Sequence, residues 1–325
     1  MLEINLENAI IELNALGAKN IYLQIPEGLK TKTNELISQL ENAKFDVIVS
    51  MDPCFGACDL KENEAIQTKC DAILHVGHNA FVEKTKVPVV YAPLNYTLKN
   101  FEKIIDELIL FLRKEKITKT GFVTTIQYIN YLEVIKEILA ENGIEIITQK
   151  GKRVIEGQVL GCNYSAVAKT KNTIYFGDGL FHPLGIHFSK QSEVIIVNPI
   201  NEKITMLDEE KNKFLRHRIL LIEKAKEANS FAILVTTKLG QNRISEAKKV
   251  KEKLEQAGKV ANIYIMDFIG EEKLLGTCEE AFISTVCPRL SIDDFASFKK
   301  PIINFTEVDY LLGKNYDDYK LEEVY

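Results

Sequence analysis

The chain has 325 residues, 46% of them apolar and 27% charged, a composition typical of a globular protein with room for two or three compact units. Its net charge of -5 excludes a global basic surface, so no direct nucleic-acid partner is expected. No apolar run is long enough for a membrane span, and the first residues are acidic, unlike a secretory signal. Six dispersed cysteines are too few for a disulfide framework, which indicates a reducing, cytoplasmic location.

Helical and strand patterns alternate along the chain in an order that occurs three times. Apolar periodicity predicts helices at 6–16, 33–40, 98–114, 131–140, 209–226 and 245–257. Short apolar segments predict strands at 21–26, 45–50, 73–77, 87–93, 121–125, 144–148, 174–179, 194–199, 231–237, 261–266, 281–286 and 301–305. Such strands between helices are typical of parallel sheets covered on both faces. We therefore predict an α/β fold of three similar units, 1–94, 95–200 and 201–325, with parallel sheets flanked by helices around a central site.

Three cysteines lie in loops that follow predicted strands, where parallel sheets gather functional groups: Cys58, Cys162 and Cys287. They are 104 and 125 residues apart. Closing each gap costs about 4 kcal/mol on loop-closure scaling, so only a folded scaffold can bring the loops together. Three thiolates favour an iron-sulfur cluster or zinc over magnesium or calcium. Cys54, four residues before Cys58, remains a competing candidate.

The other cysteines and a histidine pair are weaker candidates. Cys70 opens a buried strand as a small hydrophobic residue, and Cys278 precedes its strand, at the wrong end for the site. His75 and His78 form an H-x-x-H motif that suits zinc. Strand alternation points residues three apart to opposite faces, so shared ligation requires the chain to bend. Otherwise one histidine is hydrogen-bonded in the core and the other lies near the pocket.

Two glycine-containing segments also follow predicted strands. The segment 177–185, GDGLFHPLG, could enclose the polar end of a nucleoside or an amino acid, although a tight turn needs no ligand. The segment 238–241, KLGQ, precedes a predicted helix whose backbone donors could hold a carboxylate. The candidate cofactor-binding residues are Gly177, Asp178, Gly179, His182, Lys238, Gly240 and Gln241.

Six motifs along the chain resemble those of the archaeal diphthamide-synthesis 3-amino-3-carboxypropyl transferases, a noncanonical radical-SAM family. They are QIPEGLK at 24–30, DPCFGACDL at 52–60, HVGH at 75–78, GDGLFHPLG at 177–185, TKLGQ at 237–241 and CPRLSIDD at 287–294. The resemblance covers essentially the whole chain. The sequence also lacks the CxxxCxxC motif of ordinary radical-SAM enzymes, as this family does.

The resemblance implies a 4Fe-4S cluster held by Cys58, Cys162 and Cys287, with one iron open to S-adenosylmethionine. It implies cleavage of the sulfur to γ-carbon bond and transfer of a 3-amino-3-carboxypropyl radical to a histidine of translation elongation factor 2, leaving methylthioadenosine. A homodimer and an electron donor are further implications.

Two other functions are compatible with the residues themselves. One is a zinc enzyme that uses three thiolates, with or without His78, on a small substrate. The other is a non-catalytic α/β protein that binds a ligand or a protein through its loops. Metal analysis and colour distinguish the zinc enzyme from an iron-sulfur protein, because zinc is colourless. Turnover of S-adenosylmethionine distinguishes an enzyme from the non-catalytic protein.

Overall fold

The structure is a computed structural model that describes residues 2–324 in two compact units. The first unit comprises residues 2–100 and two short segments, 125–132 and 238–240. The second comprises residues 101–124, 133–237 and 241–324.

The first unit contains a five-stranded sheet in the order β1-β5-β4-β2-β3. All of its strand pairs are parallel except β1 with β5. Apolar residues of its helices and strands, among them Leu13, Leu36 and Leu74, form one core. A 3₁₀ helix lies at Glu27–Lys32 and another at Ile126–Tyr131. The main elements are β1 (Leu2–Ile4), α1 (Glu7–Ala15), β2 (Asn20–Gln24), α2 (Thr33–Asn42), β3 (Asp46–Ser50), α3 (Glu62–Gln67), β4 (Ala72–Gly77) and β5 (Val89–Tyr96).

The second unit begins with another five-stranded sheet, in the order β10-β9-β8-β6-β7. Only the pair of β10 with β9 is antiparallel. Its elements are α4 (Phe101–Lys114), β6 (Lys119–Thr124), α5 (Leu132–Glu141), β7 (Glu145–Ile147), β8 (Asn172–Phe176), α6 (Phe181–Lys190), β9 (Glu193–Asn198) and β10 (Lys203–Met206).

A four-stranded parallel sheet, in the order β12-β11-β13-β14, completes the second unit. Two 3₁₀ helices lie at Asp294–Ser297 and Phe305–Glu307. The other elements are α7 (Asp208–Lys226), β11 (Ser230–Val235), α8 (Ile244–Gln256), β12 (Val260–Ile265), α9 (Glu271–Leu274), β13 (Ala281–Ser284), α10 (Arg289–Ile292), β14 (Ile302–Asn304) and α11 (Val308–Leu311).

The predicted α/β class, with three mostly parallel sheets flanked by helices, is confirmed. The second and third sheets share one apolar core, to which Ile196 and Ile233 both belong, and they therefore lie in one compact unit. The predicted boundaries near residues 95 and 201 remain a prediction. Strand β10, which pairs with β9 of the second sheet, lies just beyond residue 201. Over residues 2–324, no helix has both the length and the apolarity to cross a bilayer.

A buried ion pair joins α7 to the 3₁₀ helix at 305–307. Arg218 and Glu307 have fully buried side chains, and the Arg218 Nε and Nη2 atoms donate to the two Glu307 oxygens at 2.9 and 2.5 Å. Glu307 also accepts from the Tyr319 hydroxyl at 2.5 Å and from the Asn304 amide at 2.7 Å. The Arg218 Nη1 atom donates to the Ser291 carbonyl. Every charge in this group therefore has direct hydrogen-bond partners.

We expect Glu307→Gln to lower the free energy of unfolding by about 3–5 kcal/mol, because it leaves the Arg218 charge buried without a counter-charge. The measurement is equilibrium unfolding in urea. Asp309→Asn is the matched control, because Asp309 forms an exposed pair with Lys253 at 2.7 Å. That change should cost about 1 kcal/mol or less. Equal losses in the two variants would contradict the role given to the buried pair.

Candidate functional site

The loop of Cys58 lies between β3 and α3 in the first unit and is anchored by buried polar side chains. Gln24, at the end of β2, donates through Nε2 to the Asp59 carbonyl at 2.5 Å and accepts from the Lys61 amide at 3.3 Å. Lys238 Nζ lies 2.5 Å from Asp59 Oδ2, and both of these side chains are buried. The loop is therefore fixed at Asp59 and Lys61, which directly follow its predicted ligand.

Gly240 lies directly against Cys58. Its amide donates to the Cys58 carbonyl at 3.0 Å, and a Cβ atom on Gly240 would lie 2.5 Å from the Cys58 Cβ. Lys238 and the Gly240 amide are thus engaged with the cysteine loop, and Gln241 is buried, three residues before α8 begins. The role of Lys238, Gly240 and Gln241 toward a cofactor carboxylate stays a prediction. The support that Lys238 and Gly240 give to the Cys58 loop is a structural finding.

Cys54 and Cys58 differ in their surroundings. Cys54 is buried, and burial together with the nearby Asp59 charge raises the pKa of its thiol to about 12. Cys58 is half-buried. Because thiolates rather than thiols bind metal, Cys58 is the better ligand candidate of the two.

Cys162 lies at the tip of a tight turn in the second unit, in the long insertion between β7 and β8. Leu160 and Asn163 exchange two backbone hydrogen bonds of 3.0 Å, which leaves Gly161 and Cys162 as the two residues of the turn. A Cβ atom on Gly161 would lie 1.8 Å from the Phe181 ring, so only glycine allows this approach to α6. The cysteine itself is half-buried.

Cys287 lies in the loop between β13 and α10, as the sequence predicts, and is half-buried. Both it and Cys162 lie close to Tyr164, whose hydroxyl donates to the Gly161 carbonyl at 3.0 Å. Burial raises the pKa of Tyr164 well above its usual value, and the charges of Cys162 and then Cys287 add to this rise after the dominant effect of burial. The structure therefore brings two of the three predicted ligands to one aromatic side chain.

The segment 177–185 is partly helical, because α6 begins at Phe181. The Gly177 amide donates to the Val197 carbonyl at 2.9 Å, which extends the pairing of β8 with β9 by one residue. Asp178 and Gly179 are exposed, and Gly179 has a φ of +73° that disfavours other residues. Gly177 is thus buried at the end of the strand pairing, and Asp178 and Gly179 belong to the exposed turn between strand and helix.

His182 lies in the first turn of α6, where its ring stacks on Tyr175 with centroids 5.6 Å apart. Its Nδ1 atom lies 3.3 Å from the Tyr175 hydroxyl, which also donates to the Asp178 carbonyl at 3.1 Å. Desolvation lowers the pKa of His182 to about 4, with a smaller contribution from Arg289. A neutral imidazole is therefore present at this turn at physiological pH.

His75 and His78 contact each other through Nε2 and Nδ1 at 3.0 Å. The strand bends at Gly77, which has a φ of +92°, and this bend returns His78 to the side of His75. Burial lowers the pKa of both rings, that of His78 to about 4. Over residues 2–324, no three cysteine, histidine, aspartate or glutamate side chains are placed to hold a single metal ion.

Two residues of these sites were missed by the sequence analysis: Asp59 and Tyr164. Asp59 belongs to a motif that we noted only for its cysteines, and its lysine partner is 179 residues away. No local periodicity or spacing identifies a contact of that kind.

Comparison with known proteins places the chain in a family. The model of a family described as putative diphthamide synthesis protein matches residues 25–321. The chain belongs to this diphthamide synthesis family. The motif resemblance described above is thereby confirmed.

Two relatives match along nearly their whole length. The chain is 34% identical to the 2-(3-amino-3-carboxypropyl)histidine synthase of Pyrococcus horikoshii, over 99% of this chain and 94% of the relative. It is 29% identical to the synthase of the same name from Methanocaldococcus jannaschii, over 100% and 94% of the two chains. A crystal structure of Dph2 from Pyrococcus horikoshii with a 4Fe-4S cluster matches with a TM-score of 0.93 at 33% identity, covering 100% of this chain and 95% of that one.

The raised pKa of the Cys54 thiol leads to a test with metal-free, reduced protein. We expect iodoacetamide to modify Cys54 much more slowly than Cys58 at pH 8, because only the thiolate reacts and the pKa of Cys54 is about 12. The rate at Cys54 should rise about tenfold per pH unit between pH 8 and 10, since the thiolate fraction does so below the pKa. Peptide mass spectrometry measures both rates. Equal modification of Cys54 and Cys58 at pH 8 would show that the Cys54 thiol is more reactive than its burial predicts.

A second test uses two glycines of the first unit. We expect Gly240→Ala to lower the iron bound after anaerobic reconstitution, because its Cβ atom would overlap Cys58. Gly28→Ala is the control, since an added Cβ atom there meets nothing within 4 Å and its backbone is not left-handed. Iron analysis together with binding of S-adenosylmethionine separates loss of the Cys58 loop from loss of cofactor contacts. Normal iron in Gly240→Ala would refute the close packing described here.

Proposed function

We propose that this protein transfers the 3-amino-3-carboxypropyl group of S-adenosylmethionine to a histidine of translation elongation factor 2, as a 2-(3-amino-3-carboxypropyl)histidine synthase. This reaction is the first step of diphthamide biosynthesis. The observation that carries the proposal is the match along almost the whole chain to synthases of that name and to Dph2 with a 4Fe-4S cluster. The chain is an enzyme on this proposal, not a passive binding protein.

Cys58, Cys162 and Cys287 are the proposed cluster ligands. Thiolates are the usual ligands of such clusters, and all three cysteines are half-buried in loops rather than enclosed in a core. Two of them lie beside Tyr164, and the third is fixed by Gly240 and by the loop contacts of Asp59. The donor set therefore fits an iron-sulfur cluster. When bound and reduced, the cluster supplies the electron that cleaves the sulfur to γ-carbon bond of S-adenosylmethionine.

The protein's own residues would bind and orient the rest of the substrate. The exposed Asp178 and Gly179, which follow the buried Gly177, offer polar backbone and carboxylate groups beyond the carboxyl end of β8. His182 is neutral at physiological pH because its pKa is about 4, so its ring can accept or donate one hydrogen bond without adding charge. Lys238, Gly240 and Gln241 complete the proposed cofactor-binding set, with the first two also holding the Cys58 loop.

The family resemblance also supports a homodimer, a cytoplasmic location and a separate electron donor. The zinc alternative is less well supported, because the matching structure of 33% identity contains a 4Fe-4S cluster. A colourless, zinc-loaded protein after anaerobic purification would favour that alternative instead.

The proposal predicts both the products and the ligand set. Reduced, cluster-loaded protein should release methylthioadenosine and add one aminocarboxypropyl group to a histidine carbon of elongation factor 2, and omission of dithionite should abolish both. Cys58→Ala, Cys162→Ala and Cys287→Ala should lose the cluster and the activity, whereas Cys54→Ala, Cys70→Ala and Cys278→Ala should keep them. Iron and sulfide analysis, chromatography and peptide mass spectrometry measure these outcomes. Activity after iron removal, attachment to nitrogen, or 5'-deoxyadenosine as the main product would contradict the radical mechanism.

A further inference from the structure

The segment 321–324 runs along the turn that carries Cys162. The Val324 amide donates to the Cys162 carbonyl at 3.0 Å, and the Tyr164 amide donates to Glu323 Oε1 at 3.0 Å. Glu323 also forms an ion pair with Lys190 of α6 at 2.7 Å. Hydrogen bonds from this segment therefore hold the backbone of the Cys162 turn at two positions, Cys162 itself and Tyr164.

Arg243, just before α8, connects the same segment to the loop of Cys287. Its Nη2 atom donates to the Val324 carbonyl at 2.5 Å. Its Nη1 atom lies 3.2 Å from the Thr285 carbonyl and 3.3 Å from that of Val286, the two residues before Cys287. The planar guanidinium presents several donors in a fixed geometry, so one side chain can bind carbonyl groups of two separate loops.

These contacts form a continuous chain between two cysteines that are far apart in the sequence. From Cys162 it passes through the Val324 backbone to the Arg243 guanidinium, and from there to the carbonyls that precede Cys287. Bonds that involve a charged donor or acceptor are stronger than those between neutral groups. The second unit thus holds both turns with charged side chains that bond to their backbone groups.

We propose that Arg243 and Glu323 are positioning residues, which hold the turns of Cys162 and Cys287 at the separation that a shared iron-sulfur cluster requires. This inference rests on the proposed function, in which both cysteines are cluster ligands. Groups that orient metal ligands commonly contribute 10–100-fold to metal affinity. Loss of either side chain should therefore weaken cluster retention without removing a ligand.

The test compares two conservative variants with two matched controls. Arg243→Lys keeps the charge but loses the guanidinium fork, and Glu323→Gln removes the ion pair with Lys190 and weakens the bond from Tyr164. The controls are Arg216→Lys, whose arginine donates within its own helix to the Asn212 carbonyl, and Glu322→Gln, which changes the exposed neighbouring residue. Anaerobically reconstituted proteins are challenged with a ferrous chelator, and iron loss is followed by absorbance. We expect loss about 10–100 times faster in both test variants and unchanged in both controls.

A second measurement uses cluster-free protein. The rate of iodoacetamide modification at Cys162, divided by the rate at the exposed Cys278 of the same unit, should rise in Glu323→Gln and Arg243→Lys but not in the controls. Wild-type rates of iron loss and wild-type thiol ratios in both test variants would overturn the positioning role while leaving the proposed function intact. If the wild-type protein bound no cluster, the proposed function would fail, and unchanged thiol ratios would still refute the positioning of the two turns.

Discussion

The buried contact between Lys238 and Asp59 determines where the Cys58 loop lies. Each charge loses several kcal/mol of hydration free energy on burial, and the attraction between the two charges offsets this loss only when they are in close contact. The 2.5 Å separation meets that condition, and the ammonium also lies 5.2 Å from the centroid of the Phe55 ring. Two residues later, Gly240 bonds to the carbonyl of Cys58. Loss of either charged partner would leave the other buried and unbalanced, so the ligand loop depends on the pair.

The second unit supports its cysteines by different means. Cys162 and Cys287 lie beside a buried phenol, Tyr164, rather than a buried ion pair. With its raised pKa the Tyr164 phenol is neutral at physiological pH, so it adds no negative charge next to the two cysteines. The reduction potential of an iron-sulfur cluster depends on net charge, hydrogen bonds to sulfur and solvent exposure. The charged side chains of Arg243 and Glu323, in turn, contact backbone groups next to the two cysteines.

Much of the fold could be predicted from local pattern, because apolar periodicity identifies helices such as α7 and buried strands such as β11. The edge strands β1 and β10 were missed, since both are short, and β10 is half exposed. The start of helix α6 was interpreted as part of a ligand-binding loop, because Pro183 and Gly185 are residue types common in turns.

Only the cysteines of the candidate site, and not the residues that support them, could be predicted from the sequence, for a related reason. The three cysteines are visible because each follows an apolar strand. Their supports are not, because the partners are brought together by the tertiary fold: Lys238 is 179 residues from Asp59, and Arg243 is 81 residues from Val324. A backbone carbonyl acceptor, moreover, cannot be identified from the sequence, since every residue has one.

The hydrogen bonds of segment 321–324 also set an order of events during translation. Tyr164 and its acceptor Glu323 are separated by 159 residues. A growing chain therefore adds 159 residues after Tyr164 before its acceptor Glu323 exists. Until then Cys162 lacks the backbone bond from Val324. Full ordering of this turn consequently waits until Val324 has been added, and a shorter nascent chain presents the thiol in a less constrained loop.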